Sequence, residues 1–142
     1  MASIHASAVL VGPRAVLVRG PSGSGKSALV HALLDAAHSG LIPFARLVAD
    51  DRVILSVHHG RLLARAPDSI AGLVERRGAG VVRLPHEAQA VVGWIVDLDA
   101  PDAARMPADQ AARVVIEGVA LPRIPVATGV PPLPLVLDAI GR

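Results

Sequence analysis

The segment from Gly20 to Ser27, which reads Gly-Pro-Ser-Gly-Ser-Gly-Lys-Ser, constrains this chain most, because it fits the pattern G-x-x-x-x-G-K-[ST] at every position. It follows an apolar run, Ala15–Arg19, that predicts a buried strand, and it precedes helical spacing over Ser27–His38. Glycines in such a loop let backbone N–H groups converge on phosphate oxygens, and the helix N-terminus adds its positive dipole end. A flexible turn is the alternative, but a turn does not require lysine followed by serine. The sequence therefore predicts a nucleotide-binding phosphate loop made of Gly20, Pro21, Ser22, Gly23, Ser24, Gly25, Lys26 and Ser27, in which Lys26 reaches the β- and γ-phosphates and Ser27 ligates Mg²⁺.

Length and composition narrow the class of protein around this loop. The 142 residues suit one domain, 1–142, whose core must come from aliphatic side chains, because Phe44 and Trp94 are the only aromatic residues. The chain has no cysteine, which excludes a disulfide scaffold and a thiolate metal site. A net charge of +2 and the near-absence of aromatic residues argue against nucleic-acid binding, and no apolar run reaches the length of a membrane span. Without a signal-peptide pattern, a cytoplasmic protein is expected.

The order of apolar runs and turns predicts an α/β fold with a mixed sheet around one central helix, because strands outnumber helices and do not alternate with them regularly. Helical turns are expected at Asp68–Val74, a charged loop at Glu75–Gly80, a surface loop at Asp97–Asp109 and a terminal helix at Pro131–Ile140. Strands are expected at Ala8–Val11, Ala15–Arg19, Arg46–Ala49, Val53–Val57, Arg61–Ala66, Val81–Leu84, Ala90–Leu98, Arg113–Glu117 and Val119–Pro125.

Adjacent carboxylates close the strand that follows the predicted helix. Asp50 and Asp51 could divide two tasks, one supporting Mg²⁺ and the other taking a proton from an acceptor hydroxyl, although strand-end aspartates also form ordinary turns. Glu75 could complete the metal shell, and Arg76 or Arg77 could stabilise phosphoryl charge, but the same residues also fit a solvated loop.

The histidines form no zinc-binding pattern. His5, beside the first strand, could orient Asp51, or it could be an ordinary surface residue near the N-terminus. The other histidines are expected in solvent: His31 and His38 on the polar face of the helix, His58 and His59 at a hairpin tip, and His86 in a loop. Asp97 and Asp99 could form a second acidic site, but a turn is the simpler interpretation, and Trp94 is expected in the core.

Three segments in a fixed order resemble the C-terminal catalytic domain of HPr kinase/phosphorylase, in the short form without the N-terminal domain. They are Ile4-His5-Ala6-Ser7, the phosphate loop, and Leu47-Val48-Ala49-Asp50-Asp51, followed by a glycine-bearing loop, Glu75–Gly80, that is similar to the family signature. The resemblance covers roughly Ile4 to Val126. It implies a P-loop kinase fold of the phosphoenolpyruvate-carboxykinase-like type, and a homo-oligomer, because the family is often hexameric.

The same resemblance implies ATP- and Mg²⁺-dependent phosphorylation of a serine on HPr or a related phosphocarrier of the phosphotransferase system, and the reverse phosphorolysis. On this chain it makes Asp51 the base that deprotonates the acceptor serine, with His5 beside it and Lys26 on the phosphates. It assigns Ser27, Asp50 and Glu75 to the metal.

The chain departs from the family pattern in two places. Arg76 and Ala79 replace aliphatic residues of the signature loop, and the stretch 125–130 lacks the two arginines and the asparagine of a Pro-Val-Arg-Pro-Gly-Arg-Asn-like segment. The second departure keeps open a nucleotide-binding regulatory module with little catalysis. A small-molecule kinase also fits the phosphate loop, although the sequence shows no basic cluster typical of a substrate lid.

Overall fold

The computed structural model describes residues 2–76, 78–104 and 112–141. The elements in these ranges are β1 (Ser3–Ile4), β2 (Ala6–Val11), β3 (Arg14–Arg19), α1 (Lys26–His38), β4 (Ala45–Ala49), β5 (Val53–His58), β6 (Arg61–Arg65), β7 (Leu73–Arg76), β8 (Gly80–Arg83), β9 (Ala90–Asp97), β10 (Arg113–Ile116), β11 (Val119–Pro125) and α2 (Pro132–Ile140). Short 3₁₀ turns occupy Asp68–Ile70 and Pro101–Ala104. Neither α-helix of the described ranges combines the length and the apolar character that crossing a membrane requires.

The sheet places several loops at one edge. Nine strands form one mixed sheet, in which β3 and β9 run parallel to each other and β9 and β11 do the same. Strand β2 lies antiparallel between β3 and β4, so β4 runs in the same direction as β3. The loops that follow β3, β4, β9 and β11 therefore leave the sheet at the same edge, where open α/β sheets bind their ligands.

Strand β3 is buried on both faces, which explains its unbroken apolar sequence. Val16 and Val18 pack on the side of α1, in a cluster with Leu29 and Leu33. Leu17 points the other way, into a second cluster that includes residues of β5, β6 and β9. The expected mixed sheet around a central helix is confirmed, and Trp94 packs half-buried against the α1 cluster.

Two of the expected local structures are wrong. The segment predicted as helical turns, Asp68–Val74, is helical only over Asp68–Ile70 and then enters β7. The segment predicted as a loop, Glu75–Gly80, instead contributes to both strands of the antiparallel β7–β8 hairpin. The apolar side chains of Val74 and Val82 on this hairpin pack into the α1 cluster, and this burial stabilises strands in a charged sequence. Of the surface loop expected at 97–109, residues 105–109 lie outside the described residues, and Asp97 belongs to β9.

Candidate functional site

The loop between β3 and α1, residues 20–25, has the backbone that its glycines predict. Gly23 and Gly25 adopt φ angles of 80° and 103°, in the left-handed region that favours glycine. A Cβ on Gly20 would lie 2.5 Å from Ser24 Oγ, so the close approach there requires glycine. Ser24 Oγ itself is buried and has no hydrogen-bond partner within the described part of the chain.

Lys26 begins α1 and is 7% exposed. Its Nζ donates hydrogen bonds to the backbone carbonyls of Gly20, at 2.8 Å, and Pro21, at 3.0 Å. The ammonium group is thus held on the loop by two neutral acceptors, which an anionic ligand can replace with stronger, charge-assisted bonds.

Asp50 follows β4 and is buried at the same edge as the loop, with 5% exposure. Ser27 Oγ lies 2.9 Å and 3.0 Å from its two carboxylate oxygens, and Ser7 Oγ donates to Oδ1 at 2.7 Å. Because the Ser27 hydroxyl donates its hydrogen bond to Asp50, the lone pairs of Ser27 Oγ remain available to bind a metal.

Asp51 differs from its neighbour in exposure and in backbone conformation. Its side chain is 71% exposed, and its φ of 73° lies in the left-handed region, which costs a non-glycine residue about 1–3 kcal/mol. The backbone N–H of Asp51 donates to Ser7 Oγ at 3.2 Å, and His5 Nε2 donates to Asp51 Oδ1 at 3.0 Å. Ser7 therefore connects both aspartates, while His5 holds only the exposed one.

Lys26, Ser27, Ser7 and Asp51 face one polar cavity of about 1060 Å³. The β7–β8 hairpin closes one side of it with Glu75 and Arg76. His31 of α1 holds that hairpin: its Nε2 donates to the Glu75 carbonyl at 3.2 Å, which leaves Nδ1 to accept from Arg76 Nη2 at 3.4 Å. The polar cavity is lined by His5, Ser7, Ser22, Gly23, Gly25, Lys26, Ser27, Ala28, His31, Asp35, Asp51, Glu75, Arg76, Gly78 and Gly80.

The structure brings the predicted site residues to one place, with differences in detail. His5, Asp51 and Glu75 line the polar cavity with Lys26 and Ser27, whereas Asp50 lies beneath it. No group of three acidic or histidine side chains within 2–76, 78–104 and 112–141 has the arrangement of a preformed metal site. Arg77 lies outside the described residues.

Sequence reasoning missed two residues of this site. It assigned no role to Ser7, which is fully buried, and it expected His31 in solvent, whereas His31 is half-buried and contacts the hairpin. A signal existed for Ser7, because a lone hydroxyl within the apolar run Ala6–Val11 must find a partner when buried. His31 carried no such signal, since its position on a polar helix face fits solvent equally well.

A network of ion pairs holds the end of β3, the strand that the phosphate loop follows. Arg19, the last residue of β3, donates from Nε and Nη2 to the two oxygens of Asp97, at 2.8 Å and 2.9 Å. Arg123 of β11 donates to Asp97 Oδ2 at 2.6 Å and to both oxygens of Asp102. Asp97 is therefore a structural residue that ties three parallel strands together, and the second acidic site considered for it is wrong.

The charge state of Asp97 makes this network pH-dependent. Burial alone raises the pKa of Asp97, but the hydrogen bonds and charges of Arg19 and Arg123 outweigh it and hold the pKa below its usual value near 3.8. A carboxylate with a depressed folded-state pKa contributes stability that is complete above the unfolded pKa and disappears as the pH falls through the folded value.

We expect Asp97→Asn to lower the free energy of unfolding at pH 7 by about 1–3 kcal/mol, because it leaves two arginines facing a neutral side chain. The loss should shrink as the pH falls below the unfolded-state pKa near 3.8, and disappear once the pH has passed the lower folded-state pKa, where the native carboxyl also becomes neutral. Denaturant unfolding followed by the fluorescence of Trp94, the only tryptophan, measures both effects. Asp102→Asn, at the exposed end of the network, should cost less, and an equal or larger cost would contradict the assignment.

Comparisons with known proteins show what this chain is similar to. No family model matches the sequence. The HPr kinase/phosphorylase of Clostridium tetani is 36% identical over 70 residues, which are 49% of this chain and 21% of that protein. The HPr kinase/phosphorylase of Lactobacillus acidophilus is 36% identical over 81 residues, 56% of this chain and 23% of that protein. The chain thus matches only about a quarter of the length of these curated relatives.

The solved structure of the HPr(Ser) kinase/phosphatase from Coxiella burnetii superposes on this chain with a TM-score of 0.76 at 24% identity. The superposition covers 100% of this chain and 95% of the chain in that structure. The resemblance to HPr kinase/phosphorylase is confirmed. The similarity in sequence is limited to about half of the chain. The similarity in structure extends over the whole chain and shows that it has the fold of the HPr kinases.

Proposed function

We propose that this protein is an ATP- and Mg²⁺-dependent protein-serine kinase, a single P-loop kinase domain over 1–142 that acts in the cytoplasm on HPr or a related phosphocarrier. The observation that carries the proposal is the junction of the phosphate loop with the two aspartates. Ser27 of the loop lies 2.9 Å from Asp50, and Ser7 connects Asp50 to the backbone of Asp51. A turn that only binds a nucleotide, without catalysing a reaction, would not need the exposed carboxylate of Asp51.

The donor groups of the site fit Mg²⁺, which prefers hard oxygen ligands and retains several waters. Ser27 Oγ and the Asp50 carboxylate would hold it, with Glu75 across the polar cavity as a further oxygen donor. The ion would neutralise charge on the phosphate oxygens.

The residues of the chain then divide the reaction. Backbone N–H groups of the loop and Lys26 hold the phosphates in line, which is most of what phosphoryl transfer requires. Asp51 accepts the proton of the acceptor serine as its oxygen bonds to phosphorus, and ADP leaves. His5, which donates to Oδ1 of that carboxylate, fixes its orientation. In the reverse phosphorolysis, Asp51 would return the proton to serine as phosphate takes up the phosphoryl group and forms pyrophosphate.

The direct test is to incubate the protein with ATP labelled at the γ-phosphoryl group and a purified HPr-type phosphocarrier, and to map the modified residue. Label on a serine of the phosphocarrier supports the proposal. Tight ATP binding with no labelled phosphocarrier would instead favour a regulatory nucleotide-binding module, the candidate that the missing arginines of 125–130 motivate. Turnover with a metabolite alone would favour a small-molecule kinase.

A substitution of Arg76 offers a second test of the proposed phosphoryl transfer. Arg76 is a cation at the wall of a cavity that also contains Asp51 and Glu75, and His31 positions it there. We expect Arg76→Gln to lower the rate of phosphoryl transfer about ten- to hundredfold, the value of one charge-assisted hydrogen bond to the transferring group, with little change in ATP affinity. Arg83→Gln, on the exposed face of the same hairpin, is the matched control. Equal rates for the two variants would remove Arg76 from the reaction.

A further inference from the structure

Asp51, the proposed base, is the central residue of a strained turn. The backbone N–H of Arg52 donates to the carbonyl of Asp50 at 2.9 Å, which closes a three-residue turn around Asp51. Because φ of Asp51 is 73°, this is the form of the γ-turn with a positive central φ, which is rare and strained. A strained backbone persists only where the surrounding structure holds it. The contacts around Asp51 must therefore hold this turn.

The hydroxyl of Ser7 supplies one of these contacts. Ser7 lies in β2 and is fully buried. Its Oγ donates its one proton to Asp50 Oδ1 at 2.7 Å, so the lone pairs of the same oxygen are available to accept. The Asp51 N–H donates to this Oγ at 3.2 Å. The bond to the buried carboxylate thus orients the hydroxyl as an acceptor for the backbone of the turn.

The two aspartates depend on Ser7 to different degrees. Asp50 is buried and also accepts from Ser27 Oγ, at 2.9 Å and 3.0 Å, so it keeps its packing and a polar partner without Ser7. The Asp51 side chain is 71% exposed and has little packing to hold it. Its backbone is held by Ser7 and its carboxylate by His5. Loss of the Ser7 hydroxyl therefore affects Asp51 more than Asp50.

We propose that Ser7 is a positioning residue of the phosphoryl transfer: its hydroxyl holds the γ-turn, and the turn holds Asp51 where the base meets the acceptor hydroxyl. The inference rests on the proposed function and deepens it. A base must come within about 3 Å of the group that it deprotonates, and a misplacement of about 1 Å costs as much as a hundredfold in rate. Because Ser7 has no exposed surface, it acts on the acceptor only through Asp51.

Ser7→Ala removes the hydroxyl and leaves a small side chain in β2. We expect it to lower kcat for serine labelling about ten- to hundredfold, because the turn relaxes and the base leaves its position. The affinity for Mg-ATP, measured by calorimetry without acceptor, should stay within about threefold of the native value, because the lost interaction serves the transition state. Ser56→Ala, which removes a serine hydroxyl from β5 outside the polar cavity, is the matched control and should keep the native kcat.

The same substitution in the Asp51→Asn background separates positioning from a general loss of structure. Once the base is absent its position no longer matters, so Ser7→Ala should lower the residual transfer rate by less than about twofold. An equal factor in both backgrounds would overturn the inference. A native kcat in Ser7→Ala, or a fall in Mg-ATP affinity as large as the fall in kcat, would overturn it as well.

Amide hydrogen exchange, followed by NMR on isotope-labelled protein without nucleotide, tests the contact independently of activity. In Ser7→Ala the Asp51 N–H should exchange at least about tenfold faster than in native protein, the value of one hydrogen bond. The N–H of Leu17 in the buried strand β3 is the reference for global unfolding. An unchanged ratio of the two exchange rates would show that Ser7 does not hold the turn.

Should Ser7→Ala fail to fold, Ser7→Thr and Ser7→Val form a second pair, because their side chains have similar shapes and only threonine has the hydroxyl. Ser7→Thr should keep at least about half of the native kcat, and Ser7→Val should show the loss expected for alanine. Equal kcat values in this pair would contradict the role of the hydroxyl. Native protein that labels no phosphocarrier would refute the proposed function and this inference with it, whereas the outcomes above overturn the inference alone.

Discussion

Asp51→Asn is expected to lower the rate of phosphoryl transfer to a phosphocarrier by about 10²–10⁴-fold, the usual contribution of a general base. Asparagine is the most informative replacement, because it tolerates the φ of 73° at this position and its amide oxygen can still accept from His5. The variant therefore removes the proton acceptor and little else. Initial rates of serine labelling at saturating ATP measure the effect.

The affinity for ATP separates a chemical role of Asp51 from a structural one. It should remain within about twofold of the native value in Asp51→Asn, because the lost interaction belongs to the transition state. Asp68→Asn, in the exposed 3₁₀ turn outside the polar cavity, is the matched control and should retain full activity. Native transfer rates in Asp51→Asn would assign the proton to another group.

The sequence alone was sufficient to predict those features of the site that depend on residues adjacent in the chain. The phosphate loop could be predicted because its glycines, lysine and serine are adjacent and their backbone requirements are explicit. The aspartate pair could be predicted from its position at the end of a strand, and the topology explains why this worked: β4 runs in the direction of β3, so Asp50 arrives at the edge from which the loop leaves.

The parts that could not be predicted depend on contacts between distant segments. Arg19 and Asp97 are 78 residues apart, and their pairing requires the parallel register of β3 with β9. The contact of His31 with Glu75 depends on the β7–β8 hairpin, whose charged sequence is typical of a loop.

The spatial arrangement also explains the unequal treatment of two neighbouring carboxylates. Asp50 is buried and accepts hydrogen bonds from two serines, which suits the proposed role of a group that positions a metal ligand. Asp51 is exposed to the cavity, as the base of the proposed reaction must be. The two backbones differ as well, because Asp51 has a left-handed φ and Asp50 does not.

Lys26→Met is expected to weaken ATP binding by about 1.5–3 kcal/mol, roughly ten- to hundredfold, and to lower phosphoryl transfer further, because it deletes the charged donor to the phosphates. Methionine is preferred to alanine, since Lys26 is 7% exposed and its apolar stem fills space that a smaller residue would leave empty. Calorimetry and labelling rates measure the two effects. Trp94 fluorescence checks the fold, which matters because the native ammonium also holds the carbonyls of Gly20 and Pro21.

Native protein supplies an independent control for the same residue. Lys26 is the only lysine among the 142 residues, so an amine-reactive reagent can modify only this side chain and the α-amino group. ATP bound at the loop should slow modification of Lys26 while the α-amino group serves as internal reference. Equal modification of Lys26 with and without saturating ATP, or unchanged ATP affinity in Lys26→Met, would place the nucleotide elsewhere. The two measurements together therefore decide whether the ammonium group exchanges its carbonyl acceptors for phosphate oxygens, which is the step on which the proposed chemistry depends.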